Sequence, residues 1–246
     1  MSRQELCFAP NAFIFCRELE SIILSKGPGV QKMFDSIAGR YDLMNRVMTL
    51  GQDQSWRRFV VKKSADPHGG MSLDLATGTG DIAALMADTY DVKVVGADFA
   101  FNMLLEARRR FSLKPIYWQA CDANALPFMD AVFESVTFGY LLRNVDDAGK
   151  VLKEVFRVLK PGGRAVCLDT TPPAKNILYP FLQFYFRFCI PAMGRFIADD
   201  ETAYAYLTGS TMAFFTAEEL ARLFMETGFK QVSFKKFMLG TIAVHW

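Results

Sequence analysis

A chain of 246 residues with a net charge of +2 and 22% charged side chains is long enough for one large α/β domain and gives no electrostatic case for nucleic acid. The five cysteines are odd in number, widely spaced and free of C-x-x-C pairs, and only His68 and His245 could assist a metal. This pattern predicts a reduced, cytosolic protein without structural zinc. No apolar run reaches the roughly 18 residues of a membrane span, and the first residues lack the pattern of a secretion signal. Twenty-three phenylalanines hint at an apolar ligand or a greasy surface as well as a Phe-rich core.

Residues 1–29 read as an N-terminal extension, flexible or lid-like. It carries an amphipathic stretch, Phe13, Ile14, Leu19, Ile22 and Ile23, that ends at Gly27-Pro28-Gly29. From residue 30 to 246 the pattern is that of a single domain. Val30, Met33, Phe34 and Ile37 lie at helical spacing, and a second helix carries Trp56, Phe59 and Val60 on one face. Both precede the first strand, which predicts a helical cover across the mouth of the site.

Met71 to Ala83, MSLDLATGTGDIA, is a short strand, a Thr/Gly turn and the start of a helix. Gly78 and Gly80 allow the tight bend and the close approach of a ligand, while the first N–H groups of the helix point into the gap as donors. Such a turn cradles a phosphate or a small nucleoside. Gly78, Gly80 and Ala83 fit G-x-G-x-x-A, with Asp98 at the spacing that binds a ribose. Asp74 beside the turn suits a ligand with an ammonium and no phosphates, such as S-adenosylmethionine, and leaves a dinucleotide open.

Further strands follow at Val92–Ala97, Pro115–Gln119, residues 131–138 and Arg164–Leu168, separated by helices. The helix Asp146–Leu159 stops at Lys160-Pro161-Gly162-Gly163. Tyr179 to Phe196 is dense in aromatic residues at helical spacing, which reads more readily as core than as a ligand wall. Thr216-Ala217-Glu218-Glu219 opens a capped helix that ends at Gly228, and residues 229–236 and 240–245 alternate as a terminal hairpin. The alternation predicts an α/β fold with a mostly parallel sheet covered on both faces. Ligands bind beyond the carboxyl ends of such strands, where Asp74, Asp98, Asp122 and the loop Gly139–Asn144 converge.

These residues resemble a known family. LDLATGTGD, the Asp98 that ends strand two, Asp122-Ala123 before ALPF, and LKPGG before strand five look like a class I SAM-dependent methyltransferase. The chain is closer still to the ubiquinone/menaquinone biosynthesis C-methyltransferases. Val30 to Arg58 resembles that family's N-terminal signature, and Leu142-Arg143-Asn144-Val145 its second. Tyr204-Ala205-Tyr206-Leu207, Ser210 and Phe214 are similar too. Three positions depart. Tyr140-Leu141 stands where the family has Phe-Gly, and Gly139 where it often has Ser, so Leu141 is expected to narrow the acceptor pocket.

The resemblance implies a Rossmann-like fold with a mostly parallel seven-stranded sheet, a helical cover and a C-terminal antiparallel hairpin. It implies S-adenosylmethionine as cofactor. Asp98 would bind the ribose hydroxyls, Asp122 the adenine amine, and Ala123 would donate its N–H. Gly78, Thr79 and Gly80 would pass beneath the methionine part with Asp74 near its ammonium, and Gly139 would face the cofactor. The acceptor would be a ring carbon of a reduced, prenylated quinone. Arg143 would stabilise the phenolate that activates that carbon, while Asn144 and Tyr41 would orient a water or the ring oxygen. A prenyl tail is compatible with peripheral contact at the inner face of the membrane, and the family resemblance with a homodimer. The rival readings are a C- or O-methyltransferase of another small aromatic or polyketide, a SAM-binding subunit without turnover, and an NAD-dependent reductase.

Overall fold

The alternating apolar runs become β1 (Gly70–Leu75), β2 (Val92–Asp98), β3 (Ile116–Ala120), β4 (Phe133–Gly139) and β5 (Leu159–Thr170), followed by β6 (Phe234–Phe237) and β7 (Ile242–His245). The computed structural model describes residue 34 and residues 42–64, 69–193 and 201–246. The strands form one seven-stranded sheet in the order β3-β2-β1-β4-β5-β7-β6. β1 to β5 pair in parallel, and β7 runs antiparallel to both β5 and β6. The predicted extension 1–29, the helix around Met33 and Ile37, and Tyr41 lie outside the described residues.

Helices cover both faces, as a parallel sheet requires. On one face α4 (Ala148–Val158) and α7 (Ala217–Thr227) bury Val151, Leu152, Val155, Leu220 and Phe224 against Phe133, Val136 and Phe138. On the other, α1 (Asp53–Ser64) and α2 (Asp81–Thr89) bury Trp56, Val60, Ile82 and Met86 against Val94, Val166 and Val244. The predicted capping box holds: the Thr216 side chain accepts from the Glu219 N–H, the Glu219 side chain accepts from the Thr216 N–H, and α7 ends on Gly228 at φ 113°. α3 (Phe101–Arg110) completes the β2–β3 crossover.

Two expectations change. Lys160 to Gly163 does not separate α4 from a later strand. β5 already starts at Leu159 and absorbs these residues as an irregularity, with a register shift between Phe133 and Ser135 and Gly162 at φ 83°. The aromatic stretch is core on one face only: Tyr185, Phe186 and Ile190 pack inward, while the other face is exposed. α5 (Tyr179–Phe184) runs on through a π-helical turn, Tyr185–Cys189, into Ile190–Met193, and Phe181, Phe184 and Phe188 point outward.

The cover is tied down by charge. Arg110 in α3 donates to Asp42 (2.6 Å) and to Asp81 (2.9 Å), the Thr79 hydroxyl donates to Asp42 (3.0 Å), and Arg57 pairs with Asp81. A helical segment at 42–48 and α1 are thereby latched onto the glycine turn.

Candidate functional site

A cavity of about 940 Å³, counting its open mouth, lies at the carboxyl edge of the central strands. Gly78, Asp98, Asp122, Ala123, Gly139 and Asn144 all line it. Its position, beyond the carboxyl ends of the parallel strands, is where such a sheet binds a nucleoside. Gly78 has φ 55°, and a Cβ there would meet nothing within 4 Å, so the backbone presents an open surface to the cavity.

Asp98 sits where β2 hands over to α3. Its carboxylate accepts from the Gly78 N–H (2.7 Å) and the Ala100 N–H (2.8 Å), so one side chain fixes the glycine turn and the start of the next helix. Asp122 accepts from the backbone and side chain of Asn124 (2.8 and 2.9 Å), which orients its carboxylate beside Ala123. Leu75, Met103 and Cys121 supply an apolar wall between them. Two carboxylates flanking an apolar slot fit an adenosine, with paired hydroxyls at one end and an exocyclic amine at the other.

Three predicted contacts are placed elsewhere. Asp74 is 1% exposed and does not line the cavity. It accepts from Thr77 (2.6 Å), Thr137 (2.7 Å) and the Ala83 N–H (3.1 Å), stitching β1 to β4 and α2. Burial lifts its pKa to about 6 against those hydrogen bonds. Thr79 is committed to Asp42, and Gly80 faces the protein: a Cβ there would stand 2.7 Å from Trp118. Gly80, at φ 87°, and Gly96 form a hollow that Trp118 fills, a packing requirement that the spacing G-x-G disguises as a ligand signal.

The acceptor end of the cavity is lined by Tyr140, Leu141 and Asn144. Tyr140 has φ 58° and Ala76, at the end of the neighbouring strand, φ 53°. Both are strained for residues with a Cβ, and such strain clusters at ligand sites. The Asn144 amide donates to the Tyr140 carbonyl (2.6 Å), which leaves its Oδ1 buried without a hydrogen-bond donor among the described residues. Arg143 is not in the cavity. Its guanidinium lies behind the ring of Tyr140, 4.9 Å from the centroid, and donates to Thr170 (3.1 Å) and Thr211 (3.4 Å). The physical reason is Asp169 at the end of β5. Burial lifts its pKa to about 6, against the Arg143 charge and the N–H groups of Thr170, Arg143 and Leu142. A carboxylate so placed demands a counter-ion. Sequence reading missed Asp169, although its signal was present, an acidic residue closing a central strand as Asp98 does. It also missed Phe34, which lines the cavity from the cover.

The family model for the ubiE/COQ5 methyltransferase family matches residues 23–246. A ubiquinone/menaquinone biosynthesis C-methyltransferase of Desulfotalea psychrophila is 69% identical, with 94% of each chain covered. A demethylmenaquinone methyltransferase of Deinococcus radiodurans is 41% identical over 83% of this chain and 86% of its own. Among solved structures, a SAM-dependent methyltransferase of Thermotoga maritima superposes with a TM-score of 0.61 at 18% identity, covering 87% of this chain and 96% of the other. Phosphoethanolamine N-methyltransferase 2 of Haemonchus contortus, in complex with S-adenosyl-L-methionine, gives 0.57 at 19% identity over 74% of this chain and 38% of its own. At these identities the structures establish the shared fold.

Proposed function

Because the chain belongs to the ubiE/COQ5 methyltransferase family, we propose that it methylates a ring carbon of a reduced, prenylated quinone in quinone biosynthesis. It is a methyltransferase that uses S-adenosylmethionine. The observation that carries this reading is the continuity of one cavity, from Asp98 and Asp122 at one end to Tyr140, Leu141 and Asn144 at the other. A nucleoside seat and an acceptor seat share a wall there, which in-line transfer needs.

The bound cofactor supplies an electrophilic methyl group, and the protein supplies binding, orientation and electrostatics. In this reading Asp98 holds the ribose hydroxyls, Asp122 and Ala123 the adenine edge, and Gly78 and Gly139 let the backbone approach. Carbon becomes nucleophilic when a neighbouring ring hydroxyl gives up its proton, and phenols titrate near pH 10. Asn144 Oδ1 is the unmatched acceptor for that hydroxyl or for the water that takes its proton. An amide orients but does not hold the proton. Arg143 cannot be a base, since its guanidinium stays protonated. We assign it an indirect part: its charge, set behind Tyr140, favours the phenolate while Asp169 fixes its position. Family resemblance gives Tyr41, which lies outside the described residues, the same task of orienting that water or the ring oxygen.

We further place the enzyme in the cytoplasm, at the inner face of the membrane where a prenylated quinol resides. A survey of quinones in cells lacking the protein tests the reading. Accumulation of a species lighter by one methyl group supports it, and an unchanged quinone pool overturns it.

A further inference from the structure

α5 and its continuation are apolar on two sides, and the fold uses one. The inner side packs on the cover: Ile190 is buried with Met44 and Leu207, Tyr185, Phe186 and Met193 pack against them, and the Tyr185 hydroxyl donates to the Met48 carbonyl (2.7 Å). Phe34 packs on the same cluster and also lines the cavity, so this helix lies one layer outside the site. The outer side carries Ile177, Phe181, Phe184 and Phe188, exposed by 88, 73, 60 and 56%. Phe181, Phe184 and Phe188, spaced by three and four residues, make one stripe along the helix, and Ile177 extends it from the turn before α5. Met212 and Phe215, at the end of α6 (Glu201–Met212), add exposed apolar surface. Such a stripe in water marks an interaction site.

Charge identifies the partner. Between Asp169 and Asp199 the sequence carries Lys175, Arg187 and Arg195 and no acidic residue. Lys175 and Arg187 are exposed at the start and near the outer end of the stripe. Among the described residues no helix is long and apolar enough to cross a membrane. An exposed aromatic stripe whose own segment, residues 170–193, carries cations and no acidic residue matches a helix that lies in the plane of an anionic bilayer surface.

We propose that the Ile177–Phe181–Phe184–Phe188 face is a docking surface for an anionic lipid bilayer, which seats the helix over the cavity's cover against the membrane. The inference rests on the reading of the acceptor as a prenylated quinol. It adds the route by which such an acceptor enters, from the bilayer past α5 and the cover residue Phe34.

The test uses the full chain and vesicles of phosphatidylcholine with and without phosphatidylglycerol. The wild type should co-sediment with the anionic vesicles, more weakly at high salt. The variant with Phe181, Phe184 and Phe188 all changed to Ser should lose about 10-fold or more of that binding, since the contact scales with buried apolar area. The variant should still bind S-adenosylmethionine and turn over a tail-less naphthol at the wild-type rate, which shows that it folds. Its rate on a prenylated acceptor presented in anionic vesicles should fall with the binding. As an independent readout, the new indole of Phe184→Trp should be quenched by brominated lipid. Equal sedimentation of variant and wild type, or an indole that brominated lipid leaves unquenched, overturns the proposal. So does a wild type that ignores vesicles and forms a dimer which the triple variant cannot form. A wild type inactive on both acceptors would instead refute the proposed function, leaving the vesicle result to stand separately.

Discussion

The Nε of Arg143 lies 3.7 Å from Oδ1 of Asp169, and the two side chains are only 3% and 1% exposed. The pair sits behind Tyr140, whose strained backbone lines the cavity. Breaking a buried pair leaves an uncompensated charge and costs about 3–5 kcal/mol. Arg143→Met and Asp169→Leu should each lower stability by about that amount in urea unfolding. The double variant should lose clearly less than the sum, because contacting charges couple. Additive losses would show that the two residues do not act as a unit.

Turnover should separate from cofactor binding at the same place. Arg143→Met should reduce turnover by up to about 1,000-fold, the upper end of what removal of one preorganised donor costs. The Kd for S-adenosylmethionine should not change, because the guanidinium does not line the cavity. Calorimetry and single-turnover rates measure the two quantities. An unchanged rate would remove Arg143 from the mechanism.

The two glycines of the turn should behave differently. Gly80→Ala drives a methyl group onto Trp118 at a backbone φ of 87°, so it should destabilise the fold by about 1–3 kcal/mol. Gly78→Ala meets open space. It should cost about 1 kcal/mol for its φ of 55° while weakening cofactor binding. Asp98→Ala, which removes a charged acceptor from the turn and, in the proposed reading, from the ribose, should weaken binding by about 10- to 100-fold. Thermal melts with and without the cofactor distinguish these cases.

This contrast shows how far the sequence was legible. The strand–helix alternation, the capping box and the terminal hairpin follow from periodicity and turn chemistry, which act locally, whereas the order of the strands in the sheet does not. Asp98 and Asp122 were legible as lining residues because ligands of a parallel sheet bind beyond the carboxyl ends of its strands, where both stand. Asp74 was not, since nothing local says that Thr137, sixty-three residues away, takes up its charge. Arg143 was misplaced for the same reason: its partner Asp169 comes from a strand twenty-six residues later in the chain. The outward aromatic face of α5 reads as core in the sequence because helical spacing gives the stripe but not its direction.

Asp74 also sets a pH dependence. Its pKa is lifted from 3.8 to about 6 in the folded protein. The folded state therefore holds this proton more tightly than the unfolded chain. The stability so contributed is full below about pH 4 and is lost as pH rises through about 6. Asp74→Asn removes the titration. Between pH 5 and 8 the wild type should lose about 1–2 kcal/mol relative to that variant, measured by urea unfolding at each pH. A gap that stays constant or runs the other way would contradict the buried ionised carboxylate.

Leu141 should govern acceptor size. Leu141→Gly opens the wall beside Tyr140 and Asn144, and should raise kcat/KM for bulkier ring systems relative to the smaller ones that the wild type accepts. Rates on a naphthoquinol and a benzoquinol series, for both proteins, give the ratio directly.

The central claim is transfer of a methyl group to carbon in a reduced quinone. The direct measurement is incubation of the protein with methyl-labelled S-adenosylmethionine and demethylmenaquinol, with the product analysed by mass spectrometry and by NMR. The expected product carries one labelled methyl group bonded to a ring carbon, and none forms from the oxidised quinone. A label found on oxygen, or taken up only by unprenylated aromatics, would contradict the account.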